Sequence, residues 1–340
     1  MTAIGIIGNG AISGHLQKRL KAAGAPVKLI VRRDTYVYDG RANERDNMSL
    51  AAIIGKHSDL MKLSAIFLAI PTLDDGSIAA QYIDDAAVQN HIPVITCEKG
   101  SLAYHASRLP FDSGLLHYSA AVGGGTHILP YMRLRNLSRR TVDIDGVLNG
   151  TINFILDSVS NSNKTFGEAC ADARRLGFAE PSDNGDLTLV NGELRDVCMK
   201  ACAVYNTVLT AEGYYLTPTL FEKIVLTSSN LEEIAQHAPN MRLIVSFSNR
   251  IGARLPILVS HIPSAKTVIG GWTMQIGFCS LSANPHLKSW IPGGVNNAVR
   301  IVEGGILGNG GIYDLCGPGA GLDATTGAML NDLEPLLQYR

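Results

Sequence analysis

Three ionisable side chains carry the chemistry this sequence can offer. Asp196 and Lys200 stand four residues apart in a stretch whose apolar positions Leu194, Val197, Cys198, Ala201 and Tyr205 recur at helical spacing. A helix there sets the carboxylate and the ammonium on one face and the apolar stripe on the other. A further acid, Glu180, precedes that helix. An ammonium held beside one carboxylate and faced by a second can bind an amino-acid-like substrate and deliver a proton to it. The same spacing also describes a solvated pair on a polar helix face, which contributes about 0.2–0.5 kcal/mol.

The elements around these residues narrow the choice. Ala3 to Ile7 is an apolar run ending in Gly8-Asn9-Gly10-Ala11-Ile12-Ser13-Gly14 and passing into a helical pattern through Leu16 and Leu20. This strand, glycine turn and helix would bring backbone N–H groups to a pyrophosphate at the positive end of the helix. The fingerprint is imperfect, since Ser13 stands where a third glycine is usual. A second strand, Val27 to Val31, is followed by Arg32 and Arg33, where a strict NAD site carries an acid. Guanidinium groups at that point suit a 2′-phosphate, so NADP is favoured and NAD remains open. Alternatively, the pair is simply a solvated surface.

Strands are also expected at Ser64 to Ile70 and Val94 to Thr96, with helices at Leu50 to Ile54 and Gly76 to Val88 between them. That βαβ rhythm predicts a mostly parallel sheet and places Lys99, in the loop after Val94 to Thr96, at the sheet's carboxyl edge. Further on, Gly123-Gly124-Gly125 opens a helix, and Thr141 to Leu148 precedes a helix starting near Asn149. Thr151 and Asn153 could cap that helix or touch a substrate. Beyond Leu216, strands are expected at Met241 to Phe247, Leu255 to His261, Thr267 to Ile269 and Val299 to Ile301, helices at Phe221 to Leu226 and Leu231 to His237, and an elaborated loop at Phe278 to Pro292. Ser229 or Asn230 would cap the second of those helices.

Composition bounds the function class. The 340 residues are 46% hydrophobic with a net charge of -1, enough for two domains and without the basic excess that nucleic acid or an anionic membrane would call for. Six cysteines in apolar context and nine histidines show no metal-ligand spacing, so reduced core thiols, no metal and a cytoplasmic location are expected. No apolar run reaches membrane-spanning length.

Taken together, the chain resembles the homoserine dehydrogenases. The likeness rests on the glycine turn at 8–14, ITCEKGSLA at 95–103, YSAAVGGGTHIL at 118–129, GVLNGTINFIL at 146–156, LGFAE at 176–180, the Asp196 to Lys200 helix, VNNAVRIV at 295–302 and GPGAG at 317–321, in the family's order. It implies NAD(P)H-dependent reduction of aspartate 4-semialdehyde to L-homoserine, with Lys200 as proton donor and Lys99 assisting near the carbonyl. Glu180 and Asp196 would hold the substrate's ammonium and hydroxyl ends. Gly8, Gly10, Ala11, Ile12, Lys99, Gly177, Gly319 and Gly321 fall where family members contact the cofactor. The implied fold is α/β: an N-terminal Rossmann-type parallel sheet (residues 1–130 with 315–340) and a second α+β catalytic and dimerisation domain (131–314) on an open mixed sheet. A homodimer, and a member without the C-terminal regulatory domain, are implied as well.

The chain also departs from the family. Ser119 replaces a usual glutamate and His127 a proline, which weakens an expected sodium-like site near Val122 and Gly124. The acidic run before the Asp196 helix is rewritten as EPSDNGDLTLVNGELRD, with Asp183 or Asp186 as stand-ins for the intermediate acid. Two alternatives therefore stay open: a reductase of a different small amino- or phosphono-aldehyde, and a catalytically silent nucleotide-binding sensor.

Overall fold

Strand β1 (Ala3–Ile7) is apolar along its length, and its last four residues are buried. Such a run suits a central parallel strand covered on both faces. In the computed structural model, which describes residues 3–73, 75–162, 164–179, 185–210, 213–253, 255–304 and 310–338, β1 leads into α1 (Ala11–Ala22), whose buried Ser13, Leu16 and Leu20 keep helical spacing. β2 (Val27–Val31) pairs parallel to β1. Here the expected alternation breaks. The chain turns back as an antiparallel hairpin of β3 (Thr35–Tyr38) and β4 (Arg41–Glu44). Asp39 and Gly40 supply the two positive-φ residues, at 46° and 76°, that a two-residue hairpin loop needs.

The alternation resumes with α2 (Leu50–Lys56), capped by Ser49, and the fully buried β5 (Leu63–Leu68). Next come α3 (Ser77–Ile83), β6 (Val94–Thr96), α4 (Gly100–Tyr104) and β7 (Leu116–His117). The seven strands lie in the order β4-β3-β2-β1-β5-β6-β7, parallel except for the hairpin.

A second unit follows, residues 128–321. It opens with α5 (Ile128–Leu134) and β8 (Thr141–Val147). The cap of α6 (Gly150–Asn161) is Asn149, whose side chain accepts from the Ile152 N–H. Thr151 and Asn153 lie inside the helix. Helix α7 (Phe166–Arg175) starts in a capping box of Thr165 and Glu168, and α8 (Asp186–Val204) buries Leu194, Val197, Cys198 and Ala201 as its spacing required. Beyond Phe221, residues 222–226 are not helical. A tight turn at Pro218–Phe221 runs into extended chain whose Leu226 is bound through both backbone groups by the Asn191 side chain. Thr227, boxed with Asn230, caps α9 (Ser228–His237).

Strands β9 (Met241–Ser248), β10 (Ala265–Ile269), β11 (Trp272–Ser280), β12 (Asn296–Gly304) and β13 (Ile312–Pro318) join β8 in the order β10-β11-β9-β8-β12-β13, with every pairing antiparallel. Leu255 to His261 is no strand: Pro256 has no N–H to give a ladder, and a single bridge joins Leu258 to Cys279. The stretch expected as a loop instead begins inside β11 and then lays Leu287 and Trp290 against Val147, Ile244 and Ala298 of the sheet.

Because β13 keeps residues 312–318 in the second sheet, the chain re-enters the first unit at Leu322 rather than at 315. There α10 (Leu322–Gln338) sets Ala328, Met329 and Leu333 into the core formed by Ile4, Ile6, Leu16, Leu20, Phe67 and Ile95. Among the described residues, no helix is long and apolar enough to cross a membrane.

Candidate active site

In the first unit, the carboxyl ends of the parallel strands are level, because Ile7 pairs with Leu68 and Leu68 with Thr96. The glycine turn, the loop after β5 and the loop carrying Lys99 therefore emerge along one edge. Gly8 has φ 127°, and a Cβ there would overlap the Ala69 carbonyl oxygen. Only glycine fits that approach. Ser13, in place of a third glycine, is fully buried and donates from Oγ to the Gly8 carbonyl at 2.9 Å, closing the turn from inside. Gly10 precedes α1 with no side-chain cap and has open space where a Cβ would stand. The first N–H groups of α1, at Ala11 and Ile12, thus lie under an open cradle at the positive end of a helix, which fits a pyrophosphate.

The Gly8 N–H donates to the Val31 carbonyl at 2.9 Å, tying the cradle to the end of β2. Arg32 and Arg33 follow directly and are exposed. At the other end, Glu98 is buried and binds the Gly100 and Ser101 N–H groups at 2.5 and 2.8 Å and the Thr72 hydroxyl at 2.6 Å. Half-buried Lys99 sits between them at the start of α4. Burial pushes the neighbouring Cys97 thiol up to about 11, so it stays protonated and is not a nucleophile at neutral pH.

In the second unit, Lys200 and Asp196 are paired at 2.8 Å with side chains only 12% and 17% exposed. This is no solvated surface pair. Lys200 Nζ also donates to the Leu148 carbonyl at 3.0 Å, a carbonyl that accepts from the Asn297 side chain as well, at 3.3 Å. Asn149 closes the cluster: its amide Nδ2 donates to Glu193 at 2.5 Å and Asp196 at 3.1 Å. The β8–α6 junction and one face of α8 thus hold an ammonium, two carboxylates and an amide together. Such a cluster can bind a polar substrate end and return a proton to a developing alkoxide.

Glu193, Asn149 and Asn297 were missed as site residues in the sequence, although Glu193 lies three and seven residues before Asp196 and Lys200 and so shares their face. Glu180 and Asp183 lie outside the described residues. Asp186 instead receives both terminal nitrogens of Arg174, at 3.0 Å each, and is turned to α7. Thr151 donates to the Phe178 carbonyl at 2.8 Å, holding the chain that leads towards Glu180. Gly177 has φ 73° and terminates α7, its N–H on the Arg174 carbonyl. Gly319 abuts the Asn297 amide, where a Cβ would overlap it, and Gly321 has φ 115° just before α10. The departures near the glycine triplet also have partners. Ser119 donates its hydroxyl and N–H to Asp332 of α10, at 2.5 and 3.0 Å, and His127 pairs with Asn331.

Residues 128–333 match the homoserine dehydrogenase family model. This chain belongs to the homoserine dehydrogenase family. The homoserine dehydrogenase of Pseudomonas aeruginosa is 24% identical over 251 residues, covering 73% of this chain and 51% of that protein. An NAD(+)-dependent homoserine dehydrogenase of Pseudomonas canavaninivorans is 25% identical over 244 residues, covering 71% of this chain and 61% of its own length. The chain spans about half the length of the curated relatives it matches. Among solved structures, a hyperthermophilic archaeal homoserine dehydrogenase in complex with NADPH aligns with a TM-score of 0.65 at 18% identity, covering 100% of this chain and 98% of that one. That likeness extends the family's fold to both units.

Proposed function

We propose that this chain reduces aspartate 4-semialdehyde to L-homoserine with NADPH, NADH being the weaker alternative. The reading is carried by Lys200: its ammonium is largely withdrawn from water and held by Asp196 and the Leu148 carbonyl, among acids suited to an amino-acid substrate. The bound nicotinamide would supply a hydride to the aldehyde carbon. The protein's part is to orient the aldehyde and give the oxygen a proton. In this reading Lys200 Nζ protonates that oxygen as the carbon accepts the hydride, Asp196 keeps the lysine aimed, and Lys99 assists at the carbonyl. Glu180 and Asp196 bind the ammonium and hydroxyl ends, and Thr151 steadies the chain before Glu180. Gly8, Gly10, Ala11 and Ile12 hold the pyrophosphate and Arg32 and Arg33 the 2′-phosphate, with Gly177, Gly319 and Gly321 as further cofactor contacts.

A homodimer belongs to the same reading, since the outer strands β10 and β13 expose Val268 and Ile312.

The experiment is NADPH oxidation by the purified protein with aspartate 4-semialdehyde. Lys200→Ala should lower turnover by about 100-fold or more with NADPH binding intact, in line with the loss of a general acid. An equally active Lys200→Ala protein would remove the mechanism. Turnover of another small aldehyde in preference to aspartate 4-semialdehyde would move the assignment to that substrate.

A further inference from the structure

The β3–β4 hairpin brings a third arginine to the turn that carries Arg32 and Arg33. The Arg45 N–H donates to the Asp34 carbonyl at 3.0 Å. Its Nη1 reaches the carbonyls of Arg32 and Arg33, at 3.2 and 3.4 Å. One residue thereby grips three successive carbonyls. The same side chain is anchored away from the turn: Nη1 donates to the Tyr82 hydroxyl at 2.6 Å, Nε to the Met48 carbonyl at 2.7 Å, and the guanidinium carbon lies 5.4 Å from the Tyr82 ring centroid. Tyr82 belongs to α3 and is buried, so the turn is fastened to the sheet's helical cover.

The physical consequence concerns order. Arg32 and Arg33 are long, exposed and adjacent, so bringing both to one phosphate costs side-chain entropy and works against their mutual repulsion. If the turn's backbone also had to be ordered, the cost would rise further. Arg45 removes that part in advance, without spending its own fork on the ligand. We propose that Arg45 is a positioning residue that, by fixing the backbone of residues 32–34, sets this chain's preference for a dinucleotide bearing a 2′-phosphate over one with a free ribose hydroxyl. This rests on the reading of the glycine turn as a dinucleotide site and goes beyond it, because it assigns the discrimination to a residue that does not itself touch the phosphate.

The test measures binding of NADPH and of NADH, separately, to the full chain by reduced-nicotinamide fluorescence. In Arg45→Met, NADPH affinity should fall by about tenfold while NADH affinity stays within about twofold, because only the charged subsite loses its preorganisation. Tyr82→Phe, which removes one anchor, should shift the same ratio in the same direction by less. A folded Arg45→Met protein that keeps its NADPH affinity, or loses both dinucleotides equally, overturns the proposal. Should Arg45→Met fail to fold, Arg45→Lys and Tyr82→Phe decide by the same ratio. Wild-type protein that binds both dinucleotides without preference overturns this proposal and leaves the dinucleotide site standing. Wild-type protein that binds neither overturns the dinucleotide site itself, and this proposal with it.

Discussion

Asn149 does two jobs with one amide. Its oxygen caps α6 and its nitrogen bridges Glu193 and Asp196. Asn149→Asp preserves the cap acceptor but replaces the bridging donor with a third carboxylate in a site where residue 149 is buried. That change should cost about 2 kcal/mol or more at neutral pH, read by urea unfolding. The penalty should shrink in acid, because burial and like charge raise the new carboxyl's pKa and protonation then relieves it. At this scale the sequence was informative where contacts are local. Asp196 and Lys200 are four apart, and their pairing followed from helical geometry alone. Glu193 carries the same periodicity, yet what draws it into the cluster is an amide 44 residues earlier. No spacing rule reaches that far. Ser13 teaches a similar lesson: a departure from the glycine fingerprint proves to be a hydroxyl that satisfies the Gly8 carbonyl.

Between elements, α10 is joined to the turn at 119–121 by the Asp332 carboxylate. Burial pushes that carboxyl above its ordinary value, against the lowering effect of the Ser119 hydroxyl and N–H and of the nearby His117 and His127. The folded state therefore holds the proton more tightly than the unfolded chain does. The stability it contributes is complete below the ordinary carboxylate range and is lost as pH rises through the raised value. Asp332→Asn should abolish that slope. Measured by thermal melting, the variant should gain on the wild type, by on the order of 1 kcal/mol, between about pH 4 and pH 7. A wild type that gains on the variant over that range would show the carboxylate to be the favoured form.

Strands β1, β2 and β6 begin and end where the sequence placed them, on short stretches dominated by apolar residues and closed by glycine, arginine or cysteine. The β3–β4 hairpin carried a readable Asp39-Gly40 turn that the expected helix crossover concealed. Leu255 to His261 has a strand's composition but lies over β11, with Gln275 donating to the Pro256 carbonyl. Composition alone does not separate a strand from chain that lies on one.

For the whole molecule, the decisive fact is that the first unit is built from both ends of the chain. A chain ending at Gly321 would lose Met329 and Leu333, which are 0% and 4% exposed. At about 1.5–3 kcal/mol for each large apolar side chain buried, these two alone are a large share of the roughly 5–15 kcal/mol that keeps a domain folded. Such a truncation should abolish NADPH binding while leaving every residue of the glycine turn in place. Retained binding by fluorescence would show that α10 is dispensable to the fold. The two-part organisation was visible in the sequence through its glycine turn and βαβ rhythm. The point of return was not, because Ile312–Pro318, exposed or half-buried at every position, carries no burial pattern that marks it as a strand of the second sheet.

This interruption has a consequence for synthesis on the ribosome. Residues 128–321 emerge between the two parts of the first unit, and at about 5–20 residues per second they take tens of seconds to appear. Throughout that interval Ile4, Ile6, Leu16 and Phe67 await the side chains of α10. The nascent amino-terminal sheet is therefore expected to be the part that chaperones hold, and the arrival of α10 is what releases it.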